Sequence, residues 1–156
     1  LPFAAALARR FGSRLYAAYV ISPFTEFFGP GLPLMRLGLS EQMADRKMSE
    51  LVDSQSVGEV PRENIVGLGK TSRVLANMVQ DFDIDLLILG TRGRTGIIGK
   101  ILGGVAEEMI RLSPCPVLSV GTRASRGDVD FKHLLCATGS SLESISAVRL
   151  ALQWAK

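Results

Sequence analysis

At 156 residues the chain has the length of one domain that can bury a sizeable core. Its 47% hydrophobic and 21% charged content is that of an ordinary globular protein, and a net charge of +3 spread along the chain argues against a nucleic-acid partner. Two cysteines without C-x-x-C spacing make neither a disulfide framework nor a metal cluster, which fits a reducing cytoplasm, and no apolar run is long enough to span a membrane.

In chain order, the pattern predicts a helix at about 2–11, with Gly12 as its stop, and a strand at 14–21. Arg9, Arg10 and Arg14, with no acid before Glu26, imitate a transit peptide, but helix followed by strand is the stronger reading. A Pro/Gly-rich stretch from Ser22 to Leu39 carries Phe24, Phe27, Phe28, Leu32, Leu34, Met35 and Leu37 and is expected to pack back on the domain, with a lid as the other option. There follow a helix at about 40–54, a strand at 63–68, a helix at 72–82 and a strand at 84–89. After a glycine loop come a helix at 103–112 and a strand at 116–120. A polar linker from Gly121 to Asp130 precedes a strand at 132–138 and a helix at 141–155. Strand–helix alternation with nearly continuous apolar strands, such as Leu86-Leu87-Ile88-Leu89, predicts βαβ units and a mostly parallel sheet covered on both faces. Cys115 and Cys136 are expected to be buried small hydrophobes, and His133 to be solvated.

The stretch from Asp85 to Val105 carries the functional signal. A strand empties into a loop with six glycines between 90 and 104, and the loop feeds a helix. Where side chains are absent, backbone N–H groups can approach an anion, and the helix near Gly103 aims its positive end at the same space. Arg92, Arg94 and Lys100 add positive charge. The dinucleotide fingerprint G-x-G-x-x-G fails at Arg92, and the P-loop pattern fails at Arg94 and Ile101. What remains is Gly90-x2-Gly93-x9-Gly103. A second P-loop-like run, Gly67-Leu68-Gly69-Lys70-Thr71, has Asn64 where the leading glycine is required; an ordinary strand–turn–helix explains it.

Here the chain resembles the universal stress protein family. The matching residues are Leu89-Gly90-Thr91-Arg92-Gly93-Arg94-Thr95-Gly96, Leu102-Gly103-Gly104-Val105-Ala106-Glu107, and Ser113-Pro114-Cys115-Pro116-Val117-Leu118-Ser119-Val120. The resemblance implies a doubly wound α/β domain of the adenine nucleotide alpha hydrolase-like type, with a parallel five-stranded sheet in the order 3-2-1-4-5. It also implies a homodimer joined along the edge strand 116–120, and ATP or another adenine nucleotide bound in some members, with magnesium accompanying it. Backbone contacts would come from Gly90, Gly93, Gly103, Gly104 and Val105, and charge from Arg92 and Arg94. Val20 and Leu89 would flank the base, joined by Ala137 and Thr138 if their strand fills the centre of the sheet. Two departures stand out. Gly104 occupies the place of a phosphate-binding Ser or Thr, and Gly139 that of an Asp near the adenine.

By the same resemblance, residues 1–120 form a domain without its first strand, 121–131 a linker, and 132–156 the first strand and helix of a second unit. A fragment of a tandem protein is therefore expected. Strand 132–138 is the one candidate for the vacant central position, within its own chain or swapped into a neighbour. Catalysis has little support: Ser140 and Ser141 lack a G-x-S-x-G context, and Glu107 and Glu108 are adjacent on a helix and point apart. Two functions follow. One is a regulatory stress protein, not an enzyme, that holds an adenine nucleotide; the alternative keeps the fold, leaves the pocket empty and acts through dimer contacts.

Overall fold

In the computed structural model, residues 1–22, 42–50, 60–91, 103–121, 131, 133–139 and 142–155 are described. The predicted stretch 24–39, the middle of the glycine loop and the linker 122–130 lie outside them.

Helix α1 (Pro2–Phe11) begins with proline in its first turn, where the missing N–H costs no hydrogen bond. It ends as the sequence requires. Gly12 takes the left-handed conformation (φ 62°), its N–H reaches Arg9 O, and Ser13 N–H donates to Ala8 O at 2.9 Å, a Schellman closure. Arg9 and Arg10 in the last turn complement the helix dipole. Ala5, Ala6, Leu7 and Ala8 are buried, and the small side chains let α1 lie close on strand β1 (Leu15–Ile21).

The side-chain alternation of β1 separates two layers. Ala17, with Leu15 and Tyr19 beside it, packs into a cluster with Ala5 and Ala8 of α1, Met48 of helix α2 (42–50) and Val60. Tyr16, on the other side, meets Phe82 with ring centroids 5.4 Å apart. Strand β2 (Arg62–Leu68) runs parallel to β1 in continuous register from Leu15↔Arg62 to Ile21↔Leu68. Bonds from Leu15 N–H to Pro61 O and from Gly69 N–H to Ile21 O extend that ladder beyond both ends.

Helix α3 (Thr71–Asp81) buries Ser72, Leu75 and Val79, one stripe at helical spacing. It sits hard against β2 at Gly67, where a methyl group would clash with Val74 and approach Met78 Cε to 2.7 Å. A turn with Asp83 at φ 48° and a bond from Ile84 N–H to Val79 O closes the helix. That turn is why strand β3 (Leu87–Gly90) starts later than the predicted residue 84: the N–H groups of residues 82–84 bond back into the end of α3. Helix α4 (Gly104–Leu112) buries Ala106 and Met109, and packs on α3 and on strand β4 (Val117–Val120). Strand β4 pairs in parallel with β3 from Leu87↔Val117 to Gly90↔Val120. Helix α5 (Leu142–Trp154) ends at Trp154, whose ring stacks on Phe131 and lies 6.3 Å from Phe11.

The strands form two parallel ladders, β1–β2 and β3–β4. These are the pairings that the order 3-2-1-4-5 requires on either side of its centre. The expectation that 132–138 fills that centre within its own chain is corrected. Among the described residues, 133–139 form no strand, and Leu134 and Leu135 are exposed, the latter by 98%. An extended apolar run becomes a strand only where neighbouring edges accept its hydrogen bonds; here Phe131 holds the start of the segment against Trp154 instead. Cys115 and Cys136 are half-buried thiols, not fully buried ones. Cys115 stays partly open because it sits in the bend ahead of β4, with its Sγ 3.5 Å from Ser113 Oγ.

Candidate functional site

The glycine loop begins and ends at one point. Thr91 follows the last residue of β3, and its N–H donates to Val120 O at 3.1 Å, which carries the β3–β4 ladder one step further. Its carbonyl then accepts the Gly103 N–H at 2.8 Å. Chain leaving the strand and chain entering α4 are thus joined by a single backbone bond, so the start of α4 is fixed beside the carboxyl end of β3.

That helix start is open. Gly103, the N-cap, is extended (φ −71°, ψ 149°), and no side chain caps the helix. Glu107 N–H makes the first intrahelical bond, to Gly103 O, so the N–H groups of Gly104, Val105 and Ala106 have no acceptor within the helix. Gly104 and Val105 are exposed, and a Cβ built on Gly104 meets nothing within 4 Å. Three oriented amides at the positive end of a helix, with open space beside Gly104, suit an anion of phosphate size.

An ion pair fixes the neighbouring helix. Lys70 is the N-cap of α3, and its Nζ donates to Glu108 Oε1 on α4. The hydrogen bond from Lys70, followed by one from the buried Ser72, holds the Glu108 carboxyl below its ordinary pKa. Glu107 faces Arg111 one turn on at 3.8 Å, so the two adjacent glutamates do point to different partners.

The structure brings part of the expected site together. Leu89 is half-buried and Gly90 exposed at the end of β3, and Gly103, Gly104 and Val105 gather beside them through Thr91. The Gly103 N–H is engaged by Thr91, so the amides left without an acceptor inside the helix run from Gly104 to Ala106. Val20, next to last in β1, is half-buried and paired with Gly67 in the other ladder. Ala137 and Thr138 are exposed within the segment that joins neither ladder. Arg92, Gly93 and Arg94 lie outside the described residues. Thr91, Ala106 and the Lys70–Glu108 brace escaped the sequence reading. Thr91 lies inside the quoted motif but acts through its backbone, which carries no residue signature. Lys70 lies in a P-loop-like run, and its partner Glu108 is 38 positions away in sequence. Among the described residues no group of three His, Cys, Asp or Glu side chains could hold a metal ion.

Parallel strands linked by helices, with a glycine-rich strand-to-helix turn at the carboxyl end of one ladder, define an α/β domain of the parallel-sheet class. Within that class the match is specific: the model of the universal stress protein family covers residues 1–121. Universal stress protein MJ0531 of Methanocaldococcus jannaschii is 34% identical over 128 residues, covering 73% of this chain and 68% of the relative. A universal stress protein of Thermus aquaticus, encoded in the QAH/OAS sulfhydrylase 3' region, is 26% identical over 118 residues, 75% of this chain and 84% of its own. The fold agrees, since universal stress protein UspA from Lactobacillus plantarum superposes with a TM-score of 0.62 at 21% identity, over 75% of this chain and 83% of that one. The chain belongs to the universal stress protein family.

Proposed function

We propose that this protein is a regulatory stress-response protein that binds ATP or a related adenine nucleotide, with the phosphates at the start of α4. The observation that carries the reading is the uncapped helix N-terminus at Gly104, open to solvent and held beside the end of β3 by the Thr91–Gly103 bond. The amides of Gly104, Val105 and Ala106 contact the phosphates, and Gly90, Arg92, Gly93 and Arg94 complete the cradle. Leu89 and Val20 flank the base. Ala137 and Thr138 join them where the segment that carries them enters a sheet. Backbone donors suffice for such binding without the hydroxyl that Gly104 lacks. The donor set suits phosphate rather than a bare cation, so magnesium would arrive on the nucleotide, held by its phosphates.

The same reading takes the cytoplasm as the protein's location. Among the described residues no helix is long and apolar enough to cross a membrane.

Titration calorimetry with ATP, with and without magnesium, tests the proposal. Heat that saturates at millimolar ligand or below supports it; no signal at millimolar ATP ends it. The second reading, an empty pocket and a homodimer joined along β4, is favoured by Ile110 and Leu112, exposed on α4 next to that strand. It predicts a dimer whose stability ATP does not change.

A further inference from the structure

We infer that Lys70 selects for the length of the phosphate chain, a role that rests on the nucleotide reading above and narrows its ligand class. The ammonium leaves Glu108 for the second or third phosphate of a nucleotide seated on α4. A nucleoside di- or triphosphate is thereby preferred to a monophosphate.

The base of the lysine is fixed and its tip is free to turn. Gly69, just before it, is tied to the end of β1 by the bond from its N–H to Ile21 O at 2.9 Å. Val74 N–H donates to Lys70 O at 3.0 Å as α3 begins. Lys70 therefore stands at the carboxyl end of the β1–β2 ladder, the end at which Val20 lies. From there a flexible four-carbon stem carries the charge. The side chain is 64% exposed, and among the described residues Glu108 is the one acidic partner of its Nζ.

Glu108 sets that charge beside the amides at the start of α4. Gly104 and Glu108 are four residues apart on this helix, so they share a face and stand about 6 Å apart along its axis. Helical side chains lean toward the N-terminus, so the Glu108 carboxyl and the ammonium on it lie back toward Gly104. Gly104 adds no side chain to that face, and a Cβ there would meet nothing within 4 Å. One phosphate on the amides of Gly104, Val105 and Ala106 satisfies them and leaves Lys70 beyond it. A second or third phosphate continuing along the Gly104 face comes to the ammonium.

The exchange of partners is favourable. An ion pair this exposed contributes little to stability. A charge-assisted hydrogen bond to phosphate is among the stronger kinds, and here the positive end of a helix holds the same anion. Nor does Glu108 lose every partner, because the buried Ser72 of α3 also donates to its carboxyl.

Titration calorimetry on the full chain with ATP, ADP and AMP, alongside denaturant unfolding, separates this role from that of a brace. The unsubstituted protein should bind ATP and ADP at least about tenfold more tightly than AMP. Lys70→Met should erase that preference, and Lys70→Arg should keep most of it. Glu108→Gln breaks the same pair but frees the ammonium, so it should tighten ATP. A brace requires the opposite: Lys70→Met and Glu108→Gln would both loosen α4 and weaken ATP and AMP alike. The inference is overturned by equal affinity of the unsubstituted protein for ATP and AMP, by a Lys70→Met protein that keeps the preference, or by ATP binding that weakens in both variants. In each of these outcomes ATP still binds the unsubstituted protein, so the nucleotide reading stands. Binding of none of the three nucleotides overturns both.

Discussion

Gly104 is where helix chemistry and ligand chemistry make opposite demands. As the first residue of α4 it lies in open space, so a side chain can be added without collision. Gly104→Asp puts a carboxylate at the positive end of the helix and should stabilise the fold by about 0.3–1 kcal/mol. The same charge repels phosphate and should weaken ATP binding by at least about tenfold. Denaturant unfolding and calorimetry on one variant thus read opposite signs, which a general disturbance of the fold cannot produce. Gly67 shows the contrary case. It is tight against Val74 and Met78, so Gly67→Ala must push α3 off β2 and should cost about 1–3 kcal/mol in chemical denaturation.

Glu108 supplies a pH dependence at the same scale. Its carboxyl is held below its ordinary pKa by Lys70 and Ser72. The stability this gives is complete above the unfolded value of about 4.3 and disappears as the pH falls through the lower folded value. Unfolding curves between neutral and acid pH should show part of that acid loss vanish in Glu108→Gln.

At the scale of elements, termini and turns account for most of what could be foreseen. The Gly12 closure of α1 follows from local chemistry, and the structure has it with both backbone bonds. A side chain at φ 62° is strained, so Gly12→Ala should cost about 1–2 kcal/mol by the same denaturation measurement. The paired strands and their helices were legible because hydrophobic period and glycine stops are written in neighbouring residues. The late start of β3 was not. The predicted strand begins at Ile84, but the backbone there closes α3, a competition that composition does not reveal. Residues 132–138 failed for a related reason. Their composition describes the surroundings such a strand needs, and in this chain those surroundings are not provided at that place. The site divides in the same way. Gly90 and Gly103 stand out by their spacing, whereas the Thr91 tie and the reach of Lys70 to Glu108 exist only once two ladders and two helices are assembled.

For the molecule as a whole, ligand and fold are linked by mass action. If ATP binds the folded state alone, ATP at a hundred times its Kd adds about 2.7 kcal/mol to unfolding, so the melting temperature should climb with ligand. Membership of the universal stress protein family and the α/β class were both readable from the primary structure, because glycine spacing and strand–helix alternation are local patterns that survive without coordinates. Which amides lack a helical acceptor, which carbonyl ties the loop, and which apolar segment joins no ladder were decided only by tertiary structure. Hydrogen bonds and burial depend on what distant segments bring to the same place, and a linear pattern states what a segment needs without stating whether the rest of the chain supplies it.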